Sequence, residues 1–355
     1  MRTLLICPAL YGSTGGIERI LQLYLRTLLD TDPTNDQVRL AVLNDESLPP
    51  AIAAECEKSV ASGRHRFTFL RHVMNLARGS DGLLCGHVNL LPLTACAAFM
   101  SSAGRYALIA HGIEVWEKSS RLTRWALRGA DRIFCVSEFT RTRMLELDAR
   151  LKPERLIVLP NALDAGFAEA TRRLVPAAHT TPVVLTVSRL NKADNYKGID
   201  HLIAAMPAVR RVVPNARLRI VGDGDDRARL ETLARKLQDD DAITFLGRVA
   251  DSALQHEFQH CRLFALPSAK EGFGLVYLEA MAFGKPCIAA EAGGAPEVIS
   301  PKSGRLVPFG DVPALADEMA KALTQPWDIQ AIQARAAEFS PERFASRFSS
   351  LWSLN

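Results

Sequence analysis

Hydrophobic and polar residues alternate along the first half of the chain in a pattern of short buried strands and amphipathic helices. Apolar runs such as TLLIC, VRLAVLN, ALIAHG, RIFCVS and LIVLPN are separated by helical patterns, of which IERILQLYLRTLLD is the clearest. Unbroken apolar runs that alternate with helices are typical of a parallel sheet covered on both faces. The pattern therefore predicts an α/β domain here.

A second alternation of the same kind begins near residue 182. Its apolar runs are PVVLTVSRL, ARLRIVGDG, AITFLGRV, CRLFALPS, KPCIAAE and GRLVPFG. Helices are predicted at about 198–213, 227–236 and 275–282. The pattern indicates a second doubly wound unit, so the chain is predicted to form two facing Rossmann-like domains.

The segments outside these blocks set the domain boundaries. The stretch DAGFAEATRRLVPAAHTTP has no clear period and predicts a linker. The final SPERFASRFSSLWSLN places its aromatic residues near one helical face and predicts a closing helix that packs on the body. The predicted divisions are an N-terminal domain at 1–165, a linker at 166–181, a C-terminal domain at 182–338 and a closing helix at 339–355.

Composition excludes several classes of protein. The chain has 355 residues, of which 48% are apolar, so it must bury real cores rather than stay disordered. Its seven cysteines form no CxxC pair and have no His at zinc spacing, which predicts buried, reduced thiols in a cytoplasmic protein. No apolar stretch approaches the ~18 to 20 residues of a membrane span. Any membrane contact is expected to be peripheral, at the inner face of the membrane.

Charge is distributed unevenly. The formal net charge is +4, and all of the excess lies in residues 1–175, where 22 Lys and Arg face 18 Asp and Glu. Nucleic-acid binding is not predicted, because no basic motif is interleaved with aromatic residues.

The loops that follow predicted strands are where ligands bind in open parallel sheets. Gly15 and Gly16 precede the first helix, where free backbone N–H groups favour a phosphate, although a Gly pair can also simply ease strand-to-helix packing. His111 follows the run RYALIA. It is either structural or a donor to a sugar hydroxyl or a phosphate.

Two further loops carry charged residues. Arg189 and Lys197 flank a polar insert, so they either hold a diphosphate beside a helix N-terminus or pair with Asp194 or Asp200 at the surface. In the stretch EGFGLVYLEAMAFGKPCIA, Glu271 precedes a Gly-Phe-Gly helix start and could reach sugar hydroxyls. Glu279, one turn into that helix, could accept hydrogen bonds from a ribose diol.

Taken together, Arg189, Lys197 and the two acids with seven residues between them resemble the retaining nucleotide-sugar glycosyltransferases of the GT-B fold, family GT4. Shorter motifs follow in the family's order: GGIER, HGIE, VSEFTR, LPNALD, IVGDGDDR, LGRV and GGAPEVI. The resemblance extends from residue 12 to about residue 300.

The resemblance implies a role for each matching residue. Arg189 and Lys197 would bind the donor diphosphate, Glu279 the ribose, and Glu271 the donor hexose. His111 would lie near the donor sugar and the acceptor hydroxyl, and it completes the implied catalytic set. The remaining implied donor-binding positions are Gly16, Val249, Gly272, Phe273, Gly274 and Leu275. The insert before Lys197 is three residues longer than in the family's commonest form, a departure that could shift Lys197 relative to Arg189.

The implied reaction is hexosyl transfer with retention, from a UDP- or GDP-sugar, with a lean toward GDP-mannose. The acceptor would be a glycan or a lipid-linked molecule in polysaccharide or glycolipid assembly. No metal or other cofactor is expected, because the family pattern makes Asp223-Gly224-Asp225 a structural turn. Two alternatives remain: a nucleotide-sugar epimerase of the same architecture, and a degenerate scaffold that only binds a sugar nucleotide.

The acceptor side is the least determined. Arg121, Arg124, Arg128 and Arg132 follow helical spacing through SRLTRWALRGADR, although Gly129 is expected to end the helix before Arg132. They form either a solvated face or a contact for anionic lipid or for the diphosphate of a lipid-linked acceptor, and the neighbouring segment around Arg141 and Arg143 is the other candidate for that contact.

Overall fold

The computed structural model describes residues 1–12, 15–32, 34–101, 103–172, 182–237 and 241–353. They divide into two compact units. The first is Met1–Ala162 together with the C-terminal segment from Pro341, and the second is Leu163–Ser340.

The described residues of the first unit contain one seven-stranded parallel sheet in the order β3-β2-β1-β4-β5-β6-β7. The strand Thr3–Cys7 is buried throughout, and its Leu5 lies between Leu40 and Leu84 of the neighbouring strands. The strands are β1 (Thr3–Cys7), β2 (Val38–Val42), β3 (Lys58–Ala61), β4 (Gly82–Cys85), β5 (Tyr106–Ala110), β6 (Arg132–Cys135) and β7 (Leu156–Val158). The helices that connect them are α1 (Gly16–Asp30), α2 (Pro50–Glu55), α3 (Arg66–Ala77), α4 (Leu91–Met100), α5 (Arg121–Gly129) and α6 (Glu138–Leu147).

The second unit, as far as it is described, contains a six-stranded parallel sheet in the order β10-β9-β8-β11-β12-β13. Its strands are β8 (Val183–Val187), β9 (Arg217–Val221), β10 (Ile243–Gly247), β11 (Leu263–Leu266), β12 (Cys287–Ala290) and β13 (Gly304–Val307). Its helices are α7 (Ala165–Arg172), α8 (Ile199–Val212), α9 (Arg227–Lys236), α10 (Asp251–His260), α11 (Leu275–Ala282), α12 (Ala295–Val298), α13 (Val312–Thr324) and α14 (Ile329–Ala337). The strand order reverses between β8 and β11, and ligands bind at such switch points.

The prediction of two Rossmann-like domains is confirmed, and the helices predicted at 198–213, 227–236 and 275–282 correspond to α8, α9 and α11. Of the segment predicted as a linker, residues up to 172 form α7, whose Phe167 packs on Phe258 in the second unit. Residues 173–181 lie outside the described residues. The sequence pattern did not identify β3 and β4.

The closing helix α15 (Pro341–Ser353) belongs to the first unit, as the prediction of a helix that packs on the body requires. Its buried face carries Phe344, Phe348 and Trp352. The first two meet the edge of the Tyr24 ring of α1 at centroid distances of 4.9 and 4.8 Å. The indole N–H of Trp352 donates to Thr3 Oγ1 at 2.9 Å, which joins the last helix to the first strand.

The cysteines are all free thiols. Six are buried, and Cys96 on α4 is exposed. Of the helices in the described ranges, none combines the length and the apolar character that a bilayer crossing needs.

Candidate active site

The loop after β8 places Arg189 beside a buried carboxylate. Arg189 Nη2 lies 3.3 Å from Asp194 Oδ1, and the arginine side chain remains 70% exposed. Asp194 also accepts hydrogen bonds from the Asn191 amide at 3.0 Å and from the Tyr196 hydroxyl at 2.9 Å. The alternative of a surface pair with Asp194 is therefore realised for Arg189, but its exposed guanidinium still has donors to offer a ligand.

The polar insert forms a short 3-10 helix (Lys192–Lys197). Asp194 lies inside this helix and stabilises it through the hydrogen bonds described above. Burial and the hydrogen bond to Asp194 raise the pKa of Tyr196 to about 12, so its hydroxyl remains a donor. The Tyr196 carbonyl accepts the Ala269 N–H at 2.7 Å, which ties the insert to the loop after β11. The longer insert therefore brings its end to the Glu271 loop.

Lys197 and Glu271 form the central contact of the site. Lys197 Nζ lies 2.7 Å from Glu271 Oε2, and both side chains are 16% exposed. A charge-assisted hydrogen bond of this kind is stronger than one between neutral groups, and partial burial limits its screening. The carboxyl ends of β8 and β11 thus bring together two residues that lie 74 positions apart in sequence.

The loop that carries Glu271 is packed against a second glycine turn. The Glu271 carbonyl accepts the Gly294 N–H at 2.7 Å. A Cβ built on Gly293 would overlap that carbonyl oxygen and lie 2.9 Å from the Glu271 nitrogen. Gly274 then begins α11, and the hydroxyl of the buried Tyr277 anchors the helix to the Leu266 carbonyl at 2.7 Å.

The other predicted donor-binding residues differ in their burial and in the element that carries them. Phe273 is buried and meets Phe339 edge-on at 5.5 Å, so only its backbone is available to a ligand. Glu279 is buried on α11, where its side chain already interacts with other groups of the protein. Val249 is half-buried just after β10. Gly272 and Leu275 lie in the loop and the first turn of α11.

Both carboxylates of Asp223-Gly224-Asp225 bind backbone. Asp223 Oδ1 accepts the Gly224 N–H at 2.9 Å, and Asp225 Oδ1 accepts the Lys192 N–H at 2.8 Å. This arrangement suits the predicted structural role, since Asp223 bonds within its own turn and Asp225 ties that turn to the insert after β8.

In the first unit, Gly16 is exposed in the first turn of α1 and Gly15 caps that helix. Ser13 and Thr14 of the same glycine loop lie outside the described residues. The preceding loop is held by the buried Asp45, which accepts the Tyr11 N–H at 2.7 Å. The position of Gly16 at a helix start fits the predicted approach to a phosphate.

His111 follows β5, as predicted, but its hydrogen bonds differ from the prediction. Its Nε2 lies 2.8 Å from the Gly86 carbonyl, and its backbone N–H donates to Glu114 Oε1 at 2.6 Å. A carbonyl only accepts, so Nε2 carries the proton, and burial lowers the pKa of His111 to about 4. The neutral ring leaves Nδ1 as an acceptor. It would accept a hydrogen bond from a hydroxyl rather than donate to a phosphate.

The predicted basic surface is divided by the structure. Arg128 pairs with Asp148 at 2.8 Å, Arg141 with Glu138 and Arg143 with Glu146 at 2.7 Å each. Arg132 begins β6 rather than extending α5, as the expected end at Gly129 requires. Arg121 and Arg124 therefore remain from the stripe as side chains without a salt bridge within the described ranges.

The lowered pKa of His111 predicts a pH-dependent stability. Between about pH 4 and 6.5 the unfolded chain binds a proton that the folded ring refuses, so the free energy of unfolding decreases as the pH falls through this window. A shift of this size corresponds to about 3 kcal/mol at most. Urea denaturation of wild type and His111→Gln at several pH values measures it. Equal slopes in this window would contradict the assignment.

Several residues of the site escaped the sequence pattern. Asp194 entered only as a surface partner, and nothing in its neighbours marks it as the acceptor for three side chains. His87 was missed because β4 was missed. It follows that strand, its ring centroid lies 6.4 Å from that of His111, and burial lowers its pKa also. Reading the end of every apolar run, GLLC included, would have found it.

Comparison with known proteins agrees with this architecture. The sequence model "Glycosyl transferases group 1" matches residues 168–339, and "Glycosyltransferase Family 4" matches residues 15–167. Two Rossmann-like units with these matches define a nucleotide-sugar glycosyltransferase of the GT-B class. The chain belongs to glycosyltransferase family 4, and the sequence-based resemblance is confirmed.

Two curated relatives illustrate the family's chemistry. A GDP-mannose-dependent monoacylated alpha-(1-6)-phosphatidylinositol monomannoside mannosyltransferase of Corynebacterium glutamicum is 32% identical over 268 residues, which are 70% of this chain and 68% of the relative. A GDP-mannose-dependent alpha-(1-6)-phosphatidylinositol monomannoside mannosyltransferase of Mycobacterium tuberculosis is 34% identical over 253 residues, 66% of this chain and 64% of the relative. The chain thus aligns with about two thirds of their length.

Two solved structures share the fold over the whole chain. The Anabaena protein HepE in complex with UDP has a TM-score of 0.77 and 23% identity, and the comparison covers 100% of both chains. The apo form of the lipopolysaccharide outer core galactosyltransferase WaaB has a TM-score of 0.75 and 20% identity, with 98% of each chain covered. At this identity the likeness establishes the architecture.

Proposed function

We propose that this protein transfers a hexose from a nucleoside diphosphate sugar to an acceptor hydroxyl, with retention at the anomeric carbon and without a metal. The observation that carries the proposal is the cluster at the carboxyl ends of β8 and β11. There, Lys197 meets Glu271 at 2.7 Å, directly before the N-terminus of α11. A cation, a carboxylate and free helix N–H groups are the three elements that a sugar diphosphate requires.

Each group has a separate part in donor binding. Arg189 and Lys197 balance the diphosphate, and Glu271 accepts hydrogen bonds from hexose hydroxyls. Glu279 binds the ribose and Val249 lies by the base. In the first unit, Gly16 at the start of α1 offers a backbone position suited to a phosphate, and Nδ1 of His111 is an acceptor suited to a hydroxyl.

The proposed step breaks the bond between C1 of the hexose and the diphosphate oxygen. The acceptor oxygen attacks C1 from the face that the diphosphate leaves, and the acceptor proton passes to a diphosphate oxygen. The products are the α-linked glycoside, for an α-linked donor, and the nucleoside diphosphate. Arg189 and Lys197 stabilise the negative charge that develops on the leaving group, which is where preorganised charge accelerates a reaction most.

Two observations support a reaction without a metal. Arg189 keeps exposed donors and Lys197 sits at the start of α8, so two cations are already available for the diphosphate. Both acids of the Asp-x-Asp turn are committed to backbone N–H groups. In this proposal side-chain cations take the place of a divalent ion.

GDP-mannose is the first donor to test, and UDP-sugars are the second. The two relatives described above are named as GDP-mannose-dependent enzymes that act on phosphatidylinositol monomannosides. Their names favour a lipid-linked or glycan acceptor here, in glycolipid or polysaccharide assembly.

A donor panel tests the proposal. Release of nucleoside diphosphate is measured for GDP- and UDP-sugars, with and without EDTA, and the anomeric configuration of the product is read by NMR. We expect one donor class to be turned over, with EDTA making no difference. Glu271→Ala and Arg189→Ala should abolish turnover while the circular dichroism spectrum is unchanged. Undiminished activity in both variants would overturn the site, and a trapped glycosyl adduct on Glu271 would overturn the mechanism.

A further inference from the structure

Three helices of the first unit form one layer on the sheet. Helices α3, α4, α5 and α6 each lead to a strand nearer to β7, and right-handed crossovers place such helices on the same face of a parallel sheet; α3, α4 and α5 are the first three of them in chain order. The packing agrees, because α4 contacts both α3 and α5. Side chains of this layer that point away from the sheet therefore share one outer surface.

This outer surface is unusually apolar. Among the described residues eleven large apolar side chains are exposed, and six of them belong to these three helices. Phe67 on α3 is 90% exposed and Phe99 on α4 is 87% exposed. The six residues are Phe67, Leu70, Phe99, Met100, Leu122 and Trp125. Exposed apolar side chains gathered on one layer of helices mark an interaction site.

The charged residues of the same helices are all positive. The sequences of α3, α4 and α5 contain five arginines and no Asp or Glu, and α4 (LPLTACAAFM) has no Asp, Glu, Lys or Arg at all. Arg128 is neutralised by Asp148. The other four have no salt bridge in the described part of the chain, and they are Arg66, Arg71, Arg121 and Arg124.

We propose that this outer surface of α3, α4 and α5 docks on a bilayer that contains anionic lipids. Aromatic and aliphatic tips enter the boundary between head groups and acyl chains, while arginines around them contact the phosphates. The exposed apolar side chains and the arginines together match an anionic bilayer, because its apolar acyl chains lie directly beneath its negatively charged head groups.

Charge argues against a second copy of this chain as the occupant. A two-fold contact would place the surface against itself, and would bring arginines from both copies together with no acid on any of the three helices to separate them. The surface is formed by the outward-facing sides of helices. Its combination of apolar and cationic side chains favours an extended anionic partner.

This inference extends the proposed function, because docking on a bilayer would give the protein access to a lipid-linked acceptor. Only this purpose of docking rests on the proposed function. Binding to vesicles requires neither donor nor transfer. The two proposals can therefore fail separately: a protein that transfers sugar to a water-soluble acceptor but ignores vesicles refutes the docking surface alone.

The test is vesicle flotation of the full chain with two lipid compositions. Vesicles of phosphatidylcholine are compared with vesicles of phosphatidylcholine and phosphatidylglycerol in equal parts. We expect binding to the anionic vesicles that decreases with added salt. The triple variant Phe67→Ser, Phe99→Ser, Trp125→Ser and the double variant Arg121→Gln, Arg124→Gln should each weaken binding on the order of ten-fold.

Val212→Ser is the matched control, because Val212 is an exposed apolar residue beside arginines on α8 of the second unit. It should bind vesicles as wild type does. Binding that is indifferent to lipid charge, or equal in all variants, would overturn the proposal. So would a concentration-dependent dimer, seen by light scattering, that the triple variant abolishes while no vesicle binding occurs. Donor turnover on a soluble acceptor reports that the triple variant has folded.

Discussion

Replacing Lys197 by methionine is expected to lower kcat/KM for sugar transfer by about 10²- to 10³-fold, the loss typical for a group that stabilises charge in a transition state. It should also weaken binding of the product nucleoside diphosphate by about ten-fold or more, since each lost charge contact to a phosphate costs at least 1.4 kcal/mol. Both effects follow from the assignment of Lys197 to the diphosphate. Isothermal titration with the diphosphate and initial rates with the donor measure them.

The contact of Lys197 with Glu271 allows a second role, in which the lysine only orients the carboxylate. Glu271→Gln distinguishes the two. The amide keeps a hydrogen-bond acceptor near Lys197 Nζ but loses the charge, and Glu271 is assigned to the sugar. Glu271→Gln should therefore reduce transfer strongly and leave nucleoside diphosphate binding nearly unchanged. In the double variant the loss of diphosphate binding should equal that of Lys197→Met.

Lys270→Met serves as the control for charge. Lys270 is a neighbouring lysine whose ammonium lies 6.0 Å from the Tyr196 ring, against 5.5 Å for Lys197. Lys270 is exposed, and the substitution removes the same charge from the same loop region, so we expect a change of less than about three-fold, within the usual range of a surface charge. Equal losses in Lys270→Met and Lys197→Met would show that only the local field matters. Loss of diphosphate binding in Glu271→Gln would show that Lys197 acts through the carboxylate.

The fold was predictable because its signals are local. Apolar runs of four or five residues alternate with amphipathic helices, and a glycine or a polar residue marks nearly every change of element. The same locality explains the failure at β3, whose KSVA is only half-buried at the edge of the sheet. An edge strand needs no continuous apolar run, so hydrophobic pattern alone does not reveal it.

The residues of the site were predictable as a set, but their contacts were not. Position at a strand end indicated Arg189, His111 and Glu271, and the family resemblance added their implied roles. The contact between Lys197 and Glu271 depends on how two loops fold back from neighbouring strands. The protonation of His111 depends on one carbonyl, that of Gly86, which directly follows a strand missed in the sequence. Such facts are set by tertiary packing, which no local spacing encodes.

The basic residues also show how little sequence spacing says about contacts between side chains. Helical spacing grouped four arginines on one segment, and Arg141 and Arg143 on the next segment were a second candidate. Ion pairs with Asp148, Glu138 and Glu146 withdraw three of these arginines. Glu138 and Glu146 lie three residues from their arginines on α6, so helical spacing could have shown these two pairs, whereas only the fold brings Asp148 to Arg128. What the structure adds instead is the exposed apolar character of α3 and α4; α4 packs against α5, which carries the arginine stripe, and α3 packs against α4.

Gly293→Ala is expected to reduce transfer by about 10²-fold, because a displacement of about 1 Å in a catalytic group has that effect. The residue has φ +60°, and a Cβ there would overlap the Glu271 carbonyl and press on the Glu271 nitrogen. The obstacle is backbone, which cannot rotate aside as a flexible side chain would. The Glu271 loop must therefore move, and with it the carboxylate that meets Lys197.

Gly310→Ala separates this displacement from simple backbone strain. Gly310 has φ +84°, yet a Cβ there would have nothing within 4 Å. Its substitution should cost about 1 kcal/mol of stability or less, since left-handed strain is partly offset by the lower entropy of the unfolded chain. Both variants are measured by urea denaturation and by kcat/KM. If Gly310→Ala loses as much activity as Gly293→Ala, the loss reflects strain in the unit as a whole; if Gly293→Ala keeps full activity, Glu271 does not have to stay where the second glycine turn holds it.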